Sequence, residues 1–211
     1  MIISGLYAIT PDCADTAFLL GQAQAALSGG ARVLQYRSKT ADAHLRFAQA
    51  GALRALCRTR ETLFIVNDDV DLAAKVNADG VHLGAHDAAI DTARAALGAS
   101  KIIGVSCYDD LERARVAAAQ GADYVAFGSF FTSPTKPDAP RPGLDLLRQA
   151  RRQLALPLVA IGGIDLHNAR SVIGAGADAV AVISALFAAD DIAAAAREFG
   201  NLFTLENHAF A

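Results

Sequence analysis

The chain has 211 residues, 53% of them hydrophobic and 19% charged, enough apolar material to bury a core without disulfides or a structural metal. Nineteen Lys and Arg against 22 Asp and Glu give a formal charge of -3, which excludes a general electrostatic footprint for nucleic acid or anionic lipid. Cys13, Cys57 and Cys107 have neither paired nor zinc-like spacing, the opening MIISGLYAIT lacks a basic leader, and no apolar run reaches the roughly 18 residues of a membrane span; the expectation is a cytoplasmic protein with reduced thiols.

In chain order, eight short apolar runs read as strands: LYAIT from Leu6, RVLQY from Arg32, LFIV from Leu63, GVHL from Gly80, KIIGV from Lys101, YVAFG from Tyr124, PLVAIG from Pro157 and AVAVI from Ala179. Between them lie Ala-rich segments with helical spacing, among them FLLGQAQAAL, LRFAQAGALRAL, DLAAKV, AIDTARAAL, LERARVAAAQ, LDLLRQARRQL and LHNARSVIGA. Continuous Val/Ile/Leu runs alternating with helices predict parallel strands joined by right-handed crossovers. Eight such units predict an α/β fold of the (β/α)8 TIM-barrel type, a single domain over 1–211. The tripeptides GGA at Gly29, NAD at Asn77, and GAD at Gly121 and Gly176 each stand where a left-handed Gly or Asn would end a helix and turn the chain into the next strand. An open doubly wound sheet is the alternative, but no GxGxxG follows the first strand. The one long irregular stretch, 130–143, holds four of the six prolines and reads as a lid. The tail after about residue 203 has no pattern that separates packing from fraying.

In such a barrel the reacting groups gather at the C-terminal ends of the strands, with phosphate bound by the loops after strands 7 and 8. Polar residues or glycines stand at those ends: Gln35, Arg37 and Lys39 after strand 2, Asn67 and Asp68 after strand 3, Asp87 beyond strand 4, Ser106 after strand 5, Ser133, Thr135 and Lys136 beyond strand 6, Gly162 and Gly163 after strand 7, and Ser184 after strand 8. Two separated carboxylates, Asp68 and Asp87, suit a Mg²⁺ that keeps its other positions for water and phosphate. Arg37, Lys39 and Lys136 would neutralise the remainder of a diphosphate, and the Gly163 and Ile183–Ser184 turns can offer backbone N–H groups to a second phosphate.

Each residue also has a plainer reading. Asp68 or Asp69 can cap the helix DVDLAAKV, and Asp87 the helix that follows it. Gly162 and Gly163 can serve only a tight turn, Arg37 and Lys39 only solvent, and His82 reads as a satisfied core histidine. His44, His86, His167 and His208 have no partner spacing that assigns them a role. Convergence of the others on one rim favours the functional reading.

At this point the sequence resembles the thiamine phosphate synthase family. GLYAIT, LQYRSK from Leu34, VNDDVDLA from Val66, ADGVHLG followed by Asp87, GVSCY from Gly104, ADYVAFGSFFTSPTK from Ala122, PLVAIGGI from Pro157 and GADAVAVISAL from Gly176 carry the likeness from Gly5 to about Leu186. The resemblance implies a transferase that joins a pyrimidine methyl diphosphate to a thiazole phosphate, or its carboxylated form, giving thiamine phosphate and pyrophosphate. It further implies that Gln35, Arg37, Lys39, Asn67 and Lys136 hold the pyrimidine diphosphate, with Asp68 and Asp87 on Mg²⁺. Ser106 would bind the departing pyrophosphate, Ser133 and Thr135 line the lid side, and Gly163, Ile183 and Ser184 bind the thiazole phosphate. Arg37, Lys39, Ser106 and Lys136 would carry the catalytic load. Ser38, Ala85 and Ser129 stand where the family more often has an acidic residue, Gln and Pro. The rivals are a thiazole tautomerase or regulator on the same barrel, another phosphate-binding barrel enzyme, and a non-catalytic binder of a phosphate ligand. Small-molecule substrates are the expected partners, with neither nucleic acid nor membrane, and the oligomeric state is open.

Overall fold

The alternating pattern of the sequence is realised strand for strand in a computed structural model that describes residues 3–132 and 142–206. In order the elements are β1 (Gly5–Ile9), α1 (Thr16–Ser28), β2 (Val33–Tyr36), α2 (Ala43–Thr59), β3 (Leu63–Asn67), α3 (Val70–Lys75), β4 (Gly80–Leu83), α4 (Ile90–Leu97), β5 (Ile102–Tyr108), α5 (Leu111–Ala119), β6 (Tyr124–Phe127), α6 (Leu144–Gln153), β7 (Leu158–Ile161), α7 (Ala169–Gly174), β8 (Ala179–Val182), α8 (Ser184–Phe187) and α9 (Ile192–Glu206). All neighbouring strands are parallel, and β8 closes on β1 with Gly5 opposite Ala179 and Ala8 opposite Val182.

Strand alternation divides the core in two. Leu6, Ala8, Leu34, Phe64, Val66, Val81, Ile103, Val125, Phe127 and Val180 point outward into the layer between barrel and helices, while Tyr7, Val33, Ile65, Tyr124, Val159 and Ala181 fill the barrel interior. In β6 and β8 the inward positions nearest the C-terminal ends are the small Ala126 and Ala181, and both line the cavity that opens there.

Helix starts follow the sequence chemistry: Asp15, Asp42, Asp69 and Asp110 each accept a backbone N–H in the first turn of α1, α2, α3 and α5. Asn77, Gly121 and Gly176 are left-handed as expected, at φ 50°, 89° and 112°. In the GGA turn it is Gly30, at φ 102°, that makes the left-handed step. Gly29 keeps an ordinary φ of -80° and is required instead by contact, since a Cβ there would run into the Ala193 carbonyl and the Ala196 methyl of α9.

The aspartates of the NAD and GAD turns build a repeated clasp at the N-terminal end of the barrel. Asp79 accepts the Phe64 N–H (2.8 Å) and pairs with Arg54 (3.0 Å). Asp123 accepts the Ile103 N–H (2.7 Å) and pairs with Arg94 (2.6 Å); Asp178 accepts the Leu158 N–H (2.7 Å) and pairs with Arg151 (2.7 Å). At the corresponding place before β2 the sequence has Arg32, whose N–H reaches Leu6 O at 3.0 Å.

α9, which the sequence pattern did not single out, packs on α1 and β1 with Ala196 and Phe199 fully buried. It carries the chain past residue 203 to Glu206, with Leu202 buried. Most of the expected lid, 133–141, lies outside the described residues. Among those described, Cys57 and Cys107 are free and buried, their thiols pushed up to about 12 by desolvation, and no helix is long and apolar enough to cross a membrane.

Candidate active site

The inward parity of the strands continues past their ends, so the residues that line the interior below also line the cavity above. A cavity of about 660 Å³ is walled by Tyr7 and Ile9 of β1, Gln35 and Arg37, Asn67, His82, Ser106, Tyr124 and Ala126, and on the far side by Val159, Ile161, Ala181 and Ile183. A second, of about 230 Å³, lies against the ends of β7 and β8 and is lined by Thr132, Gly162, Gly163, Asp165, Ile183, Ser184 and Ala185. The two share Ile161, Gly162, Ala181 and Ile183, so ligands in them would meet across that wall.

The smaller cavity is built from backbone. Gly162 and Gly163 have φ of 100° and 63°, and a Cβ on Gly163 would collide with the Thr132 carbonyl. The Asn168 amide donates to Gly163 O at 2.9 Å and fixes the loop. Across it, the first turn of α8 starts at Ser184 directly after β8, and the leading N–H groups of a helix have no intrahelical acceptor.

At the opposite rim the metal candidates come together. Lys39 Nζ reaches Asp68 Oδ2 at 2.8 Å, and Asp68 and Asp87 are close enough to share a hydrogen bond. Neither is a helix cap. Asp69 takes that role for α3, receiving the Leu72 N–H at 2.9 Å, while Asp68 sits in the left-handed region at φ 63° with its N–H on His82 O at 2.8 Å. Asp87 accepts the Gly84 N–H at 2.5 Å, and α4 begins only at Ile90 without a side-chain cap. Burial works to raise Asp68, but the Lys39 ammonium and the hydrogen bond with Asp87 outweigh it and hold the carboxyl below its ordinary range. Desolvation and the facing Asp68 push Asp87 up. Two carboxylates facing one another beside a single lysine could hold a hydrated Mg²⁺ through the oxygens that the lysine leaves free. No cluster of three or more metal-ligating side chains occurs among the described residues, so a cation here would take the rest of its shell from water and ligand phosphate.

The sequence reading missed the support beneath these groups. Asp12, in the β1–α1 loop, accepts the N–H groups of Lys39 (2.5 Å) and Thr40 (3.3 Å) and pairs with Arg37 at 3.7 Å. Burial would raise its carboxyl, yet these donors and the Arg37 charge keep it below its ordinary value. Arg113 also lines the large cavity, its guanidinium 2.7 Å from Ser106 O and stacked over Tyr108 at 5.8 Å. Neither could be found from sequence, because a loop Asp and a helical Arg carry no motif.

His82 is the buried, satisfied histidine expected, with Nδ1 2.9 Å from Tyr124 Oη and Nε2 2.9 Å from Ser106 Oγ. Desolvation lowers it to about 4 against a smaller opposing pull from Asp68, so the ring is neutral at pH 7. Of the remaining candidates, Gln35, Arg37, Asn67, Ser106 and Ile183 line the large cavity, Gly163, Ile183 and Ser184 the small one, and Lys39, Asp68 and Asp87 stand beyond its lining at the rim. Ser133, Thr135 and Lys136 lie outside the described residues. Ala85 and Ser129 line the large cavity, and Ser38 Oγ accepts the Ala41 N–H at 3.2 Å in the loop after β2.

The closed barrel makes the chain a TIM-barrel protein with its cavities at the C-terminal rim, the face on which enzymes of this architecture bind small molecules. The family model for thiamine monophosphate synthase matches residues 6–186, and the chain belongs to that family. It is 59% identical to the thiamine-phosphate synthase of Methylobacillus flagellatus over 95% of this chain and 96% of that protein. It is 54% identical to that of Nitrosospira multiformis over 95% and 86%. Among solved structures, thiamine phosphate pyrophosphorylase from Pyrococcus furiosus superimposes with a TM-score of 0.85 at 39% identity, covering 95% of this chain and 96% of that one.

Proposed function

We infer that the chain is a transferase of thiamine biosynthesis, joining 4-amino-5-hydroxymethyl-2-methylpyrimidine diphosphate to 4-methyl-5-(2-phosphoethyl)thiazole to give thiamine phosphate and pyrophosphate. The observation that carries this reading, beside the family, is the pair of confluent cavities with a carboxylate–lysine rim at one end and a glycine-built phosphate pocket at the other.

In the proposed reaction the C–O bond to the diphosphate breaks first, leaving a pyrimidine methyl cation that the ring amino group stabilises, and the thiazole nitrogen then attacks it. Such chemistry needs no strong base, in keeping with a neutral His82 whose two ring nitrogens are both engaged. What it needs is charge stabilisation on the leaving group and a nucleophile held in reach. Arg37, Lys39 and Lys136 supply positive charge to the diphosphate, Ser106 and Asn67 hydrogen-bond it, and Gln35 orients the pyrimidine. Gly163, Ile183 and Ser184 hold the thiazole phosphate through backbone N–H groups. Asp68 and Asp87 would hold Mg²⁺, which when bound neutralises charge on the leaving pyrophosphate. Water must also be kept from the cation, a part that the sequence reading gives to Ser133 and Thr135, which lie outside the described residues. A cytoplasmic enzyme with small-molecule substrates completes the proposal.

The test is pyrophosphate release by the purified protein given both substrates and Mg²⁺, with each omitted in turn. Release that needs all three, with an equal amount of thiamine phosphate formed, is expected. Thiazole phosphate binding without release would overturn the synthase reading in favour of a tautomerase, regulator or plain binder.

A further inference from the structure

Five side chains cross the floor of the large cavity in one unbroken hydrogen-bonded file. Gln35 Nε2 donates to Tyr7 Oη at 2.9 Å, Tyr7 Oη and Tyr124 Oη are 2.8 Å apart, Tyr124 Oη is 2.9 Å from His82 Nδ1, and His82 Nε2 is 2.9 Å from Ser106 Oγ. All five line the cavity, and Tyr7 and Tyr124 are almost wholly excluded from solvent. The neighbouring strand is cut to fit them: a Cβ on Gly104 would collide with the Tyr124 ring and hydroxyl.

A phenol has a single proton to give, so direction propagates along the file. With Gln35 donating to Tyr7, the Tyr7 proton goes to Tyr124 and the Tyr124 proton to His82 Nδ1. That nitrogen is then an acceptor, the imidazole proton sits on Nε2, and it is donated to Ser106 Oγ. The Ser106 hydroxyl proton, with its neighbour already a donor, is left to point into the cavity. At the other end Gln35 has spent an N–H on Tyr7 and keeps its carbonyl Oε1 without a partner among the described residues. Reversing the Gln35 amide would reverse every bond, and Ser106 would give its proton to His82 instead.

We propose that Tyr7, Tyr124 and His82 are positioning residues forming a polarised relay, which sets Ser106 as a hydrogen-bond donor to an anionic phosphate oxygen and Gln35 as an acceptor for an N–H donor on the other substrate edge. This rests on the reading of Ser106 as a group facing the departing pyrophosphate. A donor aimed beforehand at the oxygen that gains charge costs no reorganisation when the bond breaks. A hydroxyl engaged elsewhere would have to turn first.

The relay makes a prediction that needs no turnover. In full-length protein with ¹⁵N-labelled histidine, the ring signals of His82, assigned by their loss in His82→Gln, will show the proton on Nε2 and a bare Nδ1. A proton on Nδ1 would overturn the relay and leave the proposed reaction untouched. Kinetics supply the second measurement. Tyr124→Phe removes the donor that fixes the tautomer and is expected to lower kcat by about 10-fold, the worth of one misdirected bond to a charged group, with a smaller change in KM. The same substitution in a Ser106→Ala background should add nothing further, whereas a general loosening of the core would persist there and would overturn the proposal. If Ser106→Ala itself leaves kcat unchanged, the reading of Ser106 fails, and the relay with it.

Discussion

Aspartate is used at both ends of this barrel, to opposite purposes. At the N-terminal end Asp79, Asp123 and Asp178 each face an arginine and a backbone N–H from the preceding strand, so every charge finds its complement within the chain. At the C-terminal rim Asp68 and Asp87 face one another, one carboxyl drawn down by Lys39 and the other pushed up by its neighbour. Asp68 adopts a left-handed backbone that few residues other than glycine accept, at φ 63°. The first arrangement is closed and can only hold the fold. The second sets two carboxylates against a single lysine, an imbalance that a bound cation or a shared proton would offset, in keeping with the proposed metal site.

The separation of roles is open to challenge by mutation. The largest effect belongs to the rim: Asp68→Ala or Lys136→Ala should lower turnover by at least about a hundredfold, while Asp68→Asn, whose side chain tolerates the left-handed backbone, leaves the urea midpoint nearly where it was. Full activity in either variant would remove that residue from the proposed chemistry. Asp79→Ala should do the reverse, costing about 2–3 kcal/mol of stability because it strands Arg54 and the Phe64 N–H together. Its kcat, measured below the melting range, should match the parent; a fall would show that the lower clasp reaches the chemistry.

His82 sharpens the comparison through pH, since it is buried between the two ends. Its folded value of about 4 lies below the ordinary 6.5, so on acidification the unfolded chain takes up the proton first. Stability is therefore full above pH 6.5 and declines as pH falls towards 4, by about 2 kcal/mol at pH 5. Denaturation followed across that window without divalent cation should lose this slope in His82→Gln. The smallest effect is at the phosphate pocket, where Gly163→Ala must push aside the Thr132 carbonyl. It should raise KM for the thiazole phosphate by about 10-fold, the loss of one or two well-placed N–H contacts. An equal rise for the pyrimidine diphosphate would deny the two cavities separate occupants.

The barrel was legible because its rule is periodic. Strand parity puts residues 33, 35 and 37 on one side, and it does the same for 102, 104 and 106, so a polar residue continuing an inward row belongs to the cavity before any coordinate is known. Gln35, Arg37, Asn67 and Ser106 obey that parity. Asp68 breaks it, and the left-handed turn that carries it to the rim is invisible in the letters NDD. The relay was illegible for another reason: Tyr7, His82 and Tyr124 sit in strands that read as apolar, and their partnership depends on a ring passing the bare backbone of Gly104. Asp12 supports the loop after β2 through contacts 27 and 28 residues away in sequence, and through Arg37. α9 escaped notice since no strand follows it.

Closure of β8 on β1 joins the beginning of the chain to residues 179–182. While the protein is being made, β1 keeps one parallel edge unpaired until residues 179–182 have emerged, and α1 lacks the α9 surface that Gly29 is shaped to meet. A nascent chain stalled before residue 179 would carry that edge exposed, ready to pair with a neighbour. The time taken to make the stretch between β1 and β8 thus sets how long that edge stays open, independently of how stable the finished barrel is.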